Sequence, residues 1–258
     1  MAAAKPTVIF IPGAWHSPGV FQDVSQKLNQ RGYPTTGLIL PGVGAEPPTR
    51  DVQDDVRTIQ SSINLAVDRG QNVVLVMHSY GGIPGGSSVE GFTKSHRAKV
   101  GKTGAVVACV YISAFALQQG ESLLGFSQGR YSPWINVEGD RLTVDPIDAD
   151  RVFYGKTSDP NSAETLGHTG TKLPHQCRAT FETPATYEPW PEVPCTYLLC
   201  EADEAIPPLY QRAMVSRVEG CHVVSCGCSH SPFLDDPDMV AEVIDAAAQK
   251  ANGQDPNV

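Results

Sequence analysis

The chain has 258 residues and a formal net charge of −9, a length that one hydrophobic core can organise without division into separate domains. The acidic balance argues against a nucleic-acid partner, which is held through clustered Lys and Arg, and the basic run from Lys94 to Lys102 reads as a solvated loop. No run of 18 apolar residues occurs, and the opening MAAAKPTVIFIPG has neither a charged start nor a long apolar stretch, so a soluble, cytoplasmic chain without a membrane partner is expected.

In chain order, apolar runs alternate with segments of helical period. A strand at Thr7–Ile11 is followed by a helix over Pro18–Gln30, a strand at Thr35–Leu40, a helix over Asp51–Asp68 and a strand at Asn72–Met77. A helix over Ile83–Phe92 and a strand at Ala105–Ile112 come next; near the end stand Thr196–Cys200, a helix over Pro207–Val218, His222–Ser225 and a helix over Pro237–Lys250. VIFI, VVLVM and AVVACVYI are apolar at successive positions, the mark of strands covered on both faces. The expected fold is therefore α/β, a doubly wound and mainly parallel six-stranded sheet, whose sites lie beyond the carboxyl ends of the strands.

The alternation breaks between Leu117 and Pro194, a stretch too long for a crossover loop and rich in Gly, Pro, Tyr and Trp. This predicts a core over residues 1–116 and 194–258 with an inserted cap over 117–193. Within the insert, WINVEGDRLTV reads as a small hairpin, and Asp148–Tyr154 and Ser162–Leu166 as short helices.

The stretch VVLVMHSYGG ends a buried strand in Ser79, Tyr80, Gly81 and Gly82. A Ser hydroxyl becomes a nucleophile only when a base takes its proton and donors await the oxyanion, which requires lifting it clear of the sheet on a sharp turn between small neighbours. Four residues of this kind also describe an ordinary polar turn, so the remainder of the chain decides. SHSPFLDDP places His230 after the last strand, and TYLLCEADEAIPP places Asp203 after the strand before it. Ser79, Asp203 and His230 all fall at carboxyl ends of predicted strands, in the order nucleophile, acid, base.

With IPGAWHSPGVF, LPGVG, VMHSYGG, SAFALQQGESL, CEADEAIP and SHSPF in order along nearly the whole chain, the sequence resembles the small α/β-hydrolases related to plant methylesterases and hydroxynitrile lyases. The resemblance implies Ser79 as nucleophile, His230 as base and Asp203 as acid, with the Ala14 and Tyr80 N–H groups as oxyanion hole. It implies a serine hydrolase that needs no cofactor or metal and cleaves an ester, lactone or thioester of a small, largely apolar substrate. Two positions depart from the pattern: Met77 stands where the turn usually begins with Gly, and Pro12-Gly13 where His-Gly is common. A lyase on the same fold is disfavoured because Gly13 and Ser231 occupy the places where hydroxynitrile lyases carry Thr and Lys; a ligand-binding receptor that keeps the triad is a third reading.

Trp15, His16, Trp134 and Trp190, with Tyr131, are candidates to line a substrate pocket or to be ordinary core. His16 also reads as a loop brace, His78 as a packed, hydrogen-bonded group, and Glu204 as pointing away if Asp203 points in. The seven cysteines lack C-x-x-C spacing and read as reduced thiols, including those of Cys226-Gly227-Cys228. The oligomeric state is open, with a homodimer one option.

Overall fold

The computed structural model describes residues 4–155, 172–251 and 253. Among these residues nine strands occur: β1 (Thr7–Ile11), β2 (Thr35–Gly37), β3 (Val73–His78), β4 (Val106–Ile112), β5 (Asn136–Glu138), β6 (Arg141–Thr143), β7 (Gln176–Cys177), β8 (Cys195–Cys200) and β9 (His222–Cys226). Six of them form the central sheet in the order β2-β1-β3-β4-β8-β9, every neighbouring pair parallel.

Alternate residues of each strand serve opposite faces, and both faces are covered. Val8, Phe10, Val74 and Val76 join one buried layer, against α1 (Gln22–Gln30) and the helix Pro237–Ala251. Ile9, Ile11, Leu75 and Met77 join the other, against α2 (Gln53–Val67). Two-sided cover explains the uninterrupted apolar runs, since each such side chain removed from water contributes about 1.5–3 kcal/mol.

Several predicted elements are shorter than their sequence patterns, among them β2, the helix after β3 and the helix expected over Pro207–Val218, which runs over Pro208–Val215. β2 ends at Gly37 rather than Leu40: Leu38 N–H makes a last bond to the Phe10 carbonyl at 3.1 Å, and Ile39 then turns outward, 72% exposed. The helix expected over Ile83–Phe92 is α3 (Gly82–Ser87), preceded by a tight turn over Ser79–Gly81. Gly85 and Gly86 weaken its interior, and Gly91, at a φ of +83°, turns the chain away.

The segment 117–193 carries its own antiparallel sheet, β5-β6-β7. The β5–β6 hairpin is the one predicted. Helix Pro146–Ala149 continues directly into a wider π turn, Asp150–Tyr154, where one short helix was expected. β7 and the turn of helix at Ala179–Glu182 carry no clear sequence signal. Ser162–Leu166 lies outside the described residues. Among the described residues no helix is long and apolar enough to cross a membrane.

Candidate active site

The strand order reverses between β1 and β3, and the crevice at such a switch point is where α/β sheets bind ligands. β3 ends at His78, and Ser79 follows with a φ of +52°, a left-handed conformation that costs a non-glycine residue on the order of 1–2 kcal/mol. Close packing holds it there. A Cβ added at Gly81 would lie 2.5 Å from the Pro12 carbonyl oxygen, one at Gly82 would lie 2.3 Å from that of Phe115, and one at Gly13 would lie 2.9 Å from Ser79 Cβ. Three backbone segments thus converge on Ser79 only because these residues lack side chains. Met77 is accommodated the same way: its Sδ lies 2.5 Å from where a Gly85 Cβ would be, so the missing side chain on α3 makes room for the one that replaces the usual glycine.

His230 and Asp203 meet across the ends of β9 and β8. His230 Nδ1–H donates to Asp203 Oδ2 at 2.8 Å, and the two side chains are 1% and 0% exposed. Asp203 Oδ1 accepts the Ala205 and Ile206 N–H groups, each at 2.8 Å, and Oδ2 also accepts Gln211 Nε2 at 3.0 Å. Four donors therefore stabilise a buried carboxylate, and the imidazole tautomer they select leaves Nε2 as its basic nitrogen.

His78 and Ser113 hold His230 from behind. His78 Nε2–H and Ser113 Oγ–H both donate to the His230 carbonyl oxygen at 2.9 Å, and the two imidazole rings lie 4.6 Å apart. Burial, followed by the neighbouring His230 and His16, pushes the His78 pKa well below the usual histidine range, so this ring is neutral beside His230.

Ser79, Ala14 and Tyr80 open onto a cavity of about 730 Å³. Trp15, Phe115, Trp134, Phe153 and Phe181 form much of its wall, while Arg130, Asp148, Arg151 and Glu204 are its charged lining residues. Trp15, Trp134 and Phe153 pack mutually edge-on or tilted, with centroids 5.3–5.7 Å apart, and Phe153 lies 5.9 Å from the His230 ring. The segment 117–193 thereby supplies apolar surface directly over the buried pair.

A family model described as the alpha/beta hydrolase family matches residues 8–243. This chain belongs to the alpha/beta hydrolase family. It is 34% identical over 251 residues to a protein named "Alpha/beta hydrolase nvfD" from Aspergillus novofumigatus, covering 96% of this chain and 98% of that one. Among solved structures it superposes on a pyrethroid hydrolase with a TM-score of 0.77 at 23% identity, over 96% and 99% of the two chains. A methylesterase from Arabidopsis gives 0.71 at 20% identity, over 95% and 99%. The enzyme is a hydrolase on a fold shared with esterases.

Not every candidate residue of this hydrolase reaches the cavity. Trp15 and Trp134 do; Trp190 does not, and lines a separate depression with Pro191, Glu192, Glu219, His222 and Lys250 near the β8–β9 edge. The reason is chain path: residues 189–194 lead straight into β8 at its amino end, away from the carboxyl ends where Ser79 lies. His16 is buried as a brace rather than a wall, with Nδ1–H donating to the Ala14 carbonyl at 2.7 Å and Nε2 accepting from Tyr154 Oη at 2.8 Å. Glu204 points away from His230 to the open rim of the cavity, 55% exposed, where it pairs with Arg151 at 2.6 Å. Tyr131 lines the cavity and donates to Glu182. Gln211, Ser113, Asp55 and Gln176 are buried polar groups of the site that the sequence analysis did not select. All seven cysteines are thiols, and among the described residues no three His, Cys, Asp or Glu side chains are grouped to hold a metal ion.

Proposed function

We propose that this alpha/beta hydrolase is a serine esterase that cleaves an ester, lactone or thioester of a small, largely apolar molecule through an acyl-enzyme on Ser79. The observation that carries the reading is the wholly buried His230–Asp203 pair lying under the cavity into which Ser79 opens. Ser79 Oγ loses its proton to His230 Nε2 as it attacks the carbonyl carbon, and Asp203 stabilises the imidazolium that forms. The carbonyl oxygen takes the negative charge and accepts the N–H groups of Ala14 and Tyr80; one such donor accounts for about 10²–10³ in rate. Collapse of the intermediate returns the proton from His230 to the leaving alcohol or thiol. Water, deprotonated by His230, then attacks the acyl-enzyme and frees the acid. Every group required is a protein group or water.

The aromatic wall supports an apolar acyl or alcohol portion, and about 730 Å³ falls within the range of pockets that enclose drug-sized ligands. A methylesterase and a polyneuridine aldehyde esterase, both named for ester cleavage, share the fold and so support the ester reading. The crowding of Gly13 against Ser79 argues against the lyase reading, because a threonine there would need space that Ser79 Cβ already occupies.

The test is hydrolysis of a panel of short-chain aryl esters, methyl esters and lactones by wild type and by Ser79→Ala. Turnover of at least one class by wild type and its loss in the variant are expected. Equal turnover by both proteins contradicts the mechanism.

A further inference from the structure

A buried chain of hydrogen bonds links the two halves of the oxyanion hole through residues that belong to no catalytic motif. Tyr80 Oη–H donates to Asp55 Oδ2 at 2.6 Å, and Asp55 Oδ1 accepts the Gly42 N–H at 2.6 Å. The Gly42 carbonyl accepts the Cys177 N–H at 2.8 Å. Gln176, beside Cys177, accepts the Trp15 N–H on Oε1 at 3.4 Å and donates through Nε2 to Thr180 Oγ1 at 2.7 Å. The chain thus begins at Tyr80, whose own N–H is one proposed donor, and ends at Trp15, whose preceding residue Ala14 carries the other.

Each link is enclosed. Asp55 is 1% exposed and Gln176 is fully buried. Gly42 is glycine for a matching reason: a Cβ there would lie 2.6 Å from Asp55 Oδ2 and 3.0 Å from Gln176 Nε2. Tyr80 is fixed from a second side by Phe181, stacked on it at 5.7 Å. Trp15 holds a φ of +64° while its indole Nε1–H donates to the Leu142 carbonyl at 2.9 Å.

We propose that Asp55 and Gln176 are positioning residues that set the spacing between the Ala14 and Tyr80 N–H groups. The proposal rests on the reading of Ser79 as nucleophile. Apolar side chains would fill the space between α2, the 41–44 loop and β7 without burying a carboxylate and an amide; what they would not supply is directional bonding that permits one arrangement of these segments. That arrangement matters because oxyanion donors must lie within about 2.7–3.1 Å of the charged oxygen. A misplacement on the order of 1 Å costs about 10²-fold in rate. Binding of the uncharged substrate, which depends on the aromatic wall, makes no such demand.

The experiment uses Asp55→Asn, Gln176→Met and the double variant, each first shown to be folded by thermal unfolding. It reads the rate of Ser79 phosphonylation by an alkyl fluorophosphonate, the affinity for an aryl trifluoromethyl ketone, and kcat and KM for p-nitrophenyl acetate. Each single variant is expected to lose about 10- to 100-fold in phosphonylation and kcat and to weaken the ketone in parallel, while KM stays within about threefold. Because both residues belong to one chain, the double variant should lose little more than the worse single one. Should Asp55→Asn fail to fold, Tyr80→Phe and Gln176→Met make the same comparison. Folded variants that phosphonylate Ser79 within threefold of wild type overturn the proposal alone, as do fully additive losses. Labelling of a residue other than Ser79 in wild type overturns the reading beneath it, and the proposal with it.

Discussion

Two aspartates are buried within the candidate active site, and their surroundings differ. Asp203 accepts four hydrogen bonds, from two backbone N–H groups, Gln211 and His230. Asp55 accepts two, from Gly42 and Tyr80, and burial, assisted by Asp54 and Asp51, pushes its pKa up to about 6 against those two bonds. Asp203 lies in the loop after a strand, facing the His230 imidazole; Asp55 stands on a helix, facing a phenol whose pKa burial drives far above its usual value. Burial alone therefore does not assign a role to a carboxylate. The number of donors and the nature of the partner separate the two: in the proposed mechanism Asp203 faces the imidazole that changes charge, and in the proposed positioning role Asp55 holds groups that stay in place.

The largest expected effect follows from that contrast. Asp203→Asn should lower kcat on the order of 10⁴-fold, because an amide at this position favours the wrong imidazole tautomer. Steady-state rates on the best ester of the panel check it, and a loss smaller than that of Asp55→Asn would reverse the two assignments.

The second effect is on stability and its sign is fixed by the raised pKa of Asp55. Between about pH 4 and pH 6 the folded chain keeps a proton that the unfolded chain has lost, so this group makes stability fall as pH rises through that window, by about 2–3 kcal/mol in all. Asp55→Asn removes that fall. Urea unfolding of both proteins from pH 4 to 7 should show the variant gaining relative to wild type with rising pH; a difference that is flat with pH contradicts the assignment.

Gln211 tests how far the fourfold satisfaction of Asp203 matters. Its amide donates to Asp203 Oδ2 and to the Ile206 carbonyl, and its oxygen accepts the Cys200 N–H at 3.1 Å. Gln211→Leu should cost about 1–3 kcal/mol by leaving buried groups unpaired, read from the denaturation midpoint, with a smaller loss of kcat than Asp203→Asn. The two aromatic candidates give a smaller effect: Trp134→Ala should change the ranking of large against small esters by about tenfold, and Trp190→Ala should leave it unchanged. The smallest belongs to Glu204, whose partner Arg151 is solvent-exposed; Glu204→Gln should leave kcat within about twofold, since exposed ion pairs contribute roughly 0–1 kcal/mol.

The same two aspartates show what the sequence makes legible. Asp203, His230 and Ser79 each lie just beyond a strand, so the end of the strand marks a polar side chain as a candidate for chemistry. Asp55 is masked by its helix. It falls on the face of Val52, Val56, Ile59 and Ile63, and a carboxylate in that apolar stripe is itself a signal, one visible only when the stripe is checked for its exceptions. Gln176 gave no such sign, because β7 is two residues long and pairs with segments far away in sequence. Trp190 is ambiguous in the sequence for the opposite reason: aromatic character fits a pocket wall or the core equally, and the direction in which the chain enters β8 decides which end of the sheet it occupies.

The most direct test of the mechanism is to trap its covalent intermediate. Wild type mixed with p-nitrophenyl acetate, quenched in acid within the first turnovers and digested for mass spectrometry, should carry one acetyl group on the peptide containing Ser79, and Ser79→Ala should carry none. Turnover of the ester without an adduct on any residue, or an adduct that persists in Ser79→Ala, would contradict the account.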